Sequence, residues 1–134
     1  MFSSRYLLCF LLFVCFSANA SQEGGLRFSS FVTESDGIGT SGPIKVSGTQ
    51  NIKGIESLKV NAFGRLYELN AKQLKELQPF GANGLQLTYE HGYKELGGRT
   101  IYIILSTGFT SKTVRRKLVS VSESGSIIIS TLSP

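Results

Sequence analysis

The chain contains no tryptophan, one methionine, one histidine and two cysteines in 134 residues, and each scarcity closes a class of function. Both cysteines, Cys9 and Cys15, lie near the N-terminus. Beyond them the sequence has no thiol, so it has neither a disulfide framework nor thiol chemistry. Small secreted domains of eukaryotes usually rest on disulfides, and a thiol-free chain points instead to a bacterial envelope or secreted protein. His91, the single histidine, would need several carboxylates to complete a zinc site, which takes three or four ligands. No serine stands in a G-x-S-x-G context, and no pair of acids is set apart as a glycosidase pair. No catalytic, cofactor or metal residue is therefore assigned.

Long apolar runs are also rare. The one that stands out is Leu7 to Phe16 (LLCFLLFVCF), preceded by Arg5 and followed by Ala18-Asn19-Ala20. A short positive segment, an apolar stretch of this length and small residues at the cleavage positions form a secretory signal. The expected cut falls after Ala20, leaving residues 21–134 as one domain, long enough to bury a core without crosslinks. Such a run falls short of the roughly 20 residues that span a bilayer as a helix, and nothing later approaches that length, so no transmembrane segment is expected after cleavage. Leu8 and Val14 precede the cysteines where a lipidation site would carry a small residue. The expected location is the periplasm or the medium.

Without Arg5, 13 Lys and Arg stand against 9 Asp and Glu, a formal charge of +4. A mild positive excess favours an acidic protein face or an envelope polyanion. Export argues against nucleic acid.

Glycine, serine and threonine recur every eight to twelve residues between short β-branched and aromatic runs, the spacing of an antiparallel β-rich domain. Strands are expected over Leu26–Thr33, Ile44–Val46, Leu58–Phe63, Leu66–Leu69, Leu85–Glu90, Thr100–Thr107, Val114–Ser122 and Ser126–Leu132. Gly64-Arg65 suits a two-residue type II′ hairpin, Asn83-Gly84 reads as a turn, and Gly125 is placed for a left-handed position. Leu85, Leu87 and Tyr89 point inward by alternation, while Thr100–Thr107 is apolar on both faces, as a covered central strand is. One helix is expected over Ala71–Gln78. Asn70 caps it, Gln73 reaches back in a box arrangement, and Leu69 with Leu74 forms a hydrophobic staple; Pro79 ends it. The expected fold is α+β and mainly β: a single antiparallel sheet, made of a hairpin and a four-strand meander, with one short helix packed on it.

Gly37-Ile38-Gly39-Thr40-Ser41-Gly42 matches G-x-G-x-x-G. Pro43 and an alternating Ile-Lys-Val follow where a dinucleotide-binding unit needs a helix, so the stretch reads as a Gly-rich loop. The strongest functional lead is Thr110–Val121 (TSKTVRRKLVSV), with Arg115, Arg116 and Lys117 in its middle. Strict alternation puts cations on both faces of an ideal strand there. Either the strand starts only at Leu118, or the cations guard an edge strand against pairing. As a binding patch the triplet would act with Lys112, and specificity would need an aromatic anchor, for which Tyr93 and Phe109 are candidates.

Three functions fit these features. The first is an exported, non-catalytic binding or accessory protein of the bacterial envelope. The second is an exported inhibitor or immunity protein that offers Gly37–Gly42 or His91–Gly98 to an enzyme. The third is a small hydrolase using His91.

Overall fold

A computed structural model of the chain describes residues 28–37, 42–90, 98–107 and 114–133. Eight strands and one helix follow one another as β1 (Ser30–Ser35), β2 (Ile44–Asn51), β3 (Gly54–Ala62), β4 (Arg65–Glu68), α1 (Ala71–Glu76), β5 (Gly81–Glu90), β6 (Thr100–Ser106), β7 (Arg116–Ser122) and β8 (Ile127–Leu132). They form two antiparallel four-stranded sheets, ordered β1-β2-β3-β4 and β5-β6-β7-β8. The single sheet expected from the sequence is thus corrected to two. The break falls at α1, which takes the chain from the edge of the first meander to the edge of the second.

The two sheets share one interior. On the first, Ile44, Val46, Leu58, Val60 and Ala62 are buried; on the second, Ile101, Ile103, Leu105, Val119 and Val121 are fully buried, and all belong to one apolar cluster. Burying each such side chain contributes about 1.5–3 kcal/mol, more than any surface pair can supply.

A bulge makes the first sheet's inner face continuous. Thr49 pairs with Ser57 and Gln50 with Ile55, so Glu56 is an extra residue on β3. The extra residue resets the alternation and lets Ile55 and Leu58, at 1% exposure each, both face inward. The β3–β4 turn departs from the sequence expectation. Ala62 pairs with Arg65, so the loop residues are Phe63 and Gly64, with φ of 54° and 71°. Positive φ at both positions is the type I′ turn, not the II′ turn expected at Gly64-Arg65, and it is the form that matches strand twist. An aromatic residue rarely occupies the left-handed region; here the Phe63 ring packs against the core.

The helix forms as its sequence signals require. Asn70 Oδ1 accepts the Gln73 N–H at 2.9 Å, and Gln73 Oε1 accepts the Asn70 N–H at 2.9 Å. Leu77 caps the C-terminus and is fully buried, with Leu74 packed beside the core. The helix stops at Glu76, two residues before the expected Gln78. Asn83-Gly84 lies inside β5, where the register jumps between Gly81 and Gln86; it forms a bulge rather than a turn between strands. The second sheet is the expected four-strand meander. Gly125 has φ of 98°, and its N–H bonds the Ser122 carbonyl at 3.0 Å, closing a three-residue hairpin loop.

Gln50 joins the sheets. It is only 8% exposed. Its Nε2 donates to the Phe28 carbonyl at 2.6 Å and to Asn83 Oδ1 at 3.1 Å, and its Oε1 accepts the Ala82 N–H at 2.8 Å. Beside it, the Ile55 N–H bonds the Phe80 carbonyl at 3.2 Å. Replacing Gln50 by Leu takes these bonds away from the Phe28 carbonyl, Asn83 and the Ala82 N–H, all part-buried, and urea unfolding should show a loss of about 1–3 kcal/mol. Tyr67 gives the opposite expectation. Its hydroxyl is buried with no hydrogen-bond partner among the described residues, so Tyr67→Phe should leave the urea midpoint unchanged or raise it, since no bond is lost.

Candidate binding surface

The outer faces of the two sheets differ in chemistry. On the first, charges pair across neighbouring strands: Lys45 with Glu34 at 2.7 Å and Lys59 with Glu68 at 3.0 Å, in registers that place each pair directly opposite. Thr49 and Ser57 share a hydroxyl bond of 2.8 Å between them. Such exposed pairs add about 0–1 kcal/mol each, and they share that face with two exposed apolar side chains, Val32 and Leu66. On the second sheet, the residues alternating with the buried ones are Gln86 and Thr88 on β5, Tyr102 and Ile104 on β6, Leu118 and Ser120 on β7, and Ile128, Ser130 and Leu132 on β8. That face mixes apolar and hydroxyl side chains with the Gln86 amide, with Ile128 at 59% exposure and Arg116 at its end; among the described residues it holds no ion pair.

The basic triplet lies where β6 ends and β7 begins. Arg115 precedes β7 and pairs with Thr107: the Thr107 N–H bonds the Arg115 carbonyl at 3.2 Å. Arg116 and Lys117 are the first two residues of β7, opposite Ser106 and Leu105 on one side and Leu132 and Thr131 on the other. Because β7 lies between β6 and β8, the edge-strand explanation of the triplet is overturned. A strand starting only at Leu118 is likewise corrected to one starting at Arg116. Alternation divides the three cations. Arg115 and Lys117 share the parity of the buried Val119 and cover the rim of the core, each 5.8 Å from the centroid of the Phe80 ring. Lys117 Nζ also donates to Thr131 Oγ1 at 2.9 Å. Arg116 alone takes the outer face. The buried Phe80 thus holds two cations at one end of the sheet, a geometry in which ring and charge attract. Arg115, Arg116 and Lys117 have no carboxylate partner among the described residues.

Tyr93, Phe109 and Lys112, expected to join the triplet, lie outside the described residues, as does His91. Of the G-x-G-x-x-G stretch, Gly37 and Gly42 are described, with φ of 84° and 73°, and β2 follows it where a dinucleotide site would need a helix. Among the described residues, no three His, Cys, Asp or Glu side chains come together as metal ligands do, and no helix is long and apolar enough to cross a membrane.

A second charged cluster, missed in the sequence, lies at the other end of the same sheet. The Arg99 N–H donates to Glu123 Oε1 at 3.0 Å, Arg99 Nε donates to Glu123 Oε2 at 2.8 Å, and Nη2 lies 2.8 Å from Oε2. The Glu123 N–H returns a bond to the Arg99 carbonyl at 2.9 Å. The same guanidinium stacks on Phe63, 5.2 Å from the ring centroid, and so reaches the hairpin turn of the first sheet. Gly98 must be glycine here, because its φ is 85° and a Cβ would collide with the Glu123 carboxylate. No sequence signal announces this clip, since its partners are far apart in the chain. The Arg99 backbone N–H, then its guanidinium, hold the Glu123 carboxyl below the usual glutamate range.

Comparison with protein-family models, with curated proteins and with solved structures finds no match to the chain.

The lowered Glu123 value fixes the sign of a pH effect. A carboxyl more acidic folded than unfolded contributes stability above its unfolded value, about 4.3, and loses it as pH falls through the folded value. Glu123→Gln should therefore lower stability at neutral pH and flatten the decline in acid. Denaturant unfolding of both proteins across the acid range measures this; parallel curves would remove the clip from the balance.

Proposed function

We propose that the protein is an exported, non-catalytic binding protein of the bacterial envelope, which meets an acidic partner through the Arg115–Lys117 end of its second sheet. The observation that supports this reading is the contrast among cations. Among the described residues Lys45, Lys59 and Arg99 are neutralised by carboxylates; of the cations that are not, Lys53, Arg65, Lys72 and Lys75 are spread along the chain, and only Arg115, Arg116 and Lys117 are consecutive, at one end of a sheet. Two are held in place by Phe80, so an anion would meet prearranged charges and less side-chain entropy would be lost on binding. The third faces the apolar outer surface, where an acidic partner would find both charge and contact area. Export rests on the N-terminal signal pattern of Arg5, Leu7–Phe16 and Ala18-Asn19-Ala20.

The test is capture from envelope and secreted extract, with the protein beside a variant carrying Arg115→Gln, Arg116→Gln and Lys117→Met. These substitutions keep the aliphatic stems over Phe80 and remove the charge. A defined acidic protein or polyanion should be retained by the wild type. It should be released as salt shortens the screening length towards about 3 Å at 1 M, and bound at least about tenfold more weakly by the variant, a loss of about 1.4 kcal/mol. Equal retention by both proteins would sink the proposal.

A further inference from the structure

The edges of the two sheets are not equally protected. Proteins guard sheet edges with brevity, charge, proline or bulges. β4 has four residues and carries Arg65 and Glu68. β5 is interrupted by its register break. β1 carries Glu34, paired with Lys45. β8 has none of these devices: Ser126–Leu132 reads SIIISTL, with no charge, proline or glycine, and its register with β7 runs unbroken from Val121↔Ile127 to Arg116↔Leu132. Among the described residues, no strand lies on its other side. Uncharged, β-branched segments of this length are the ones that pair with further strands.

We infer that β8 is a dimerisation edge, pairing antiparallel with β8 of a second copy about a two-fold axis at Ile129. The hydrogen-bond phase and the sequence select this partner. The Ser122 N–H bonds the Ser126 carbonyl at 3.0 Å, so alternation turns the backbone groups of Ile128, Ser130 and Leu132 towards β7 and those of Ile127, Ile129 and Thr131 to the open side. With the axis at Ile129, Ile127 meets the second copy's Thr131 and Ile129 meets its own counterpart, giving about six new backbone hydrogen bonds. Ile128 then meets Ser130 on the outer face, and no charge within the strand opposes another. The joined sheet has eight strands and one continuous outer face. An isologous contact of this kind uses both β8 edges and closes, leaving at the ends of the joined sheet the interrupted β5 edges, which discourage growth. The inference is independent of the acidic-partner reading, because no residue of the basic triplet takes part in the pairing.

Sedimentation of the purified chain over a dilution series tests it, beside Thr131→Pro and Ile128→Lys. The Thr131 N–H points to the open side, so proline there spares the β7 ladder, and Ile128 is exposed. The wild type should be a dimer that dissociates on dilution, and each variant should raise the dissociation constant at least about tenfold while keeping the wild-type circular dichroism. Cysteine variants report the register, with the wild type showing the background from Cys9 and Cys15. Cysteine at 129 faces itself at about 5.5 Å between Cα atoms, within disulfide reach, and should crosslink under oxidation. Cysteine at 131 lies about four residues from its counterpart, at roughly 3.4 Å each, and should not. A monomer at every concentration, crosslinking at both positions, or larger assemblies that survive both substitutions would overturn the inference.

Discussion

Neither four-stranded sheet can bury its inner face alone, and the rest of the structure depends on that constraint. Val46, Leu58 and Val60 on one sheet need Ile101, Ile103 and Val119 on the other, and together they form one core. A single open meander would leave one apolar face in water, at a cost of about 25 cal/mol for each Å² exposed. Once the sheets are opposed, polar groups at their margins must be paired between them. Gln50 meets this need at the crossover, bonding Phe28 on one side and Ala82 and Asn83 on the other. Arg99 meets it near the β3–β4 turn, held by Glu123 and stacked on Phe63. Both ties are polar, directional and near the rim, so they set how the sheets meet more than how strongly they adhere.

The same packing allocates the charges. The outer face of the first sheet carries cross-strand ion pairs beside the exposed Val32 and Leu66. That of the second mixes apolar, hydroxyl and amide side chains, and the cations nearest to it have no carboxylate partner among the described residues. Alternation along β7 sends Arg115 and Lys117 to the core rim and Arg116 outward, so three adjacent residues do different work. Two shield Phe80 and remain charged towards solvent; one faces the open surface. The binding function proposed for this end of the molecule rests on the joint presence of charge, an ordered platform and exposed apolar area.

Much of the fold was legible along the chain, because its signals are local. Asn70 with Gln73, Leu69 with Leu74, and Pro79 define a helix from neighbours a turn apart. Gly125 marks a turn that no bulkier residue adopts easily, and Leu85, Leu87 and Tyr89 announce by their alternation the strand face that packs against the core; Thr100–Thr107, apolar on both faces, did not tell which of its faces is buried. The Phe63-Gly64 turn was displaced by one residue because phenylalanine gives no sign of positive φ; its conformation depends on packing. The bulge at Glu56 was invisible for a similar reason, since register exists only between two strands. The basic triplet was visible as charge, but its division between faces was not, because that depends on where β7 begins.

The sequence by itself determined the strand-rich class, the helix and its cap, the order of the C-terminal meander and the inward alternation of Leu85, Leu87 and Tyr89. These are consequences of backbone preference and of apolar periodicity, both written within a few residues. The tertiary structure alone decided that there are two sheets rather than one, that Gln50 and Arg99 tie them together, that β7 is interior and that β8 is an edge. Each of those depends on which distant segments meet, and that is settled by the burial of two faces against each other, an energy that belongs to the pair of sheets and to neither stretch of chain.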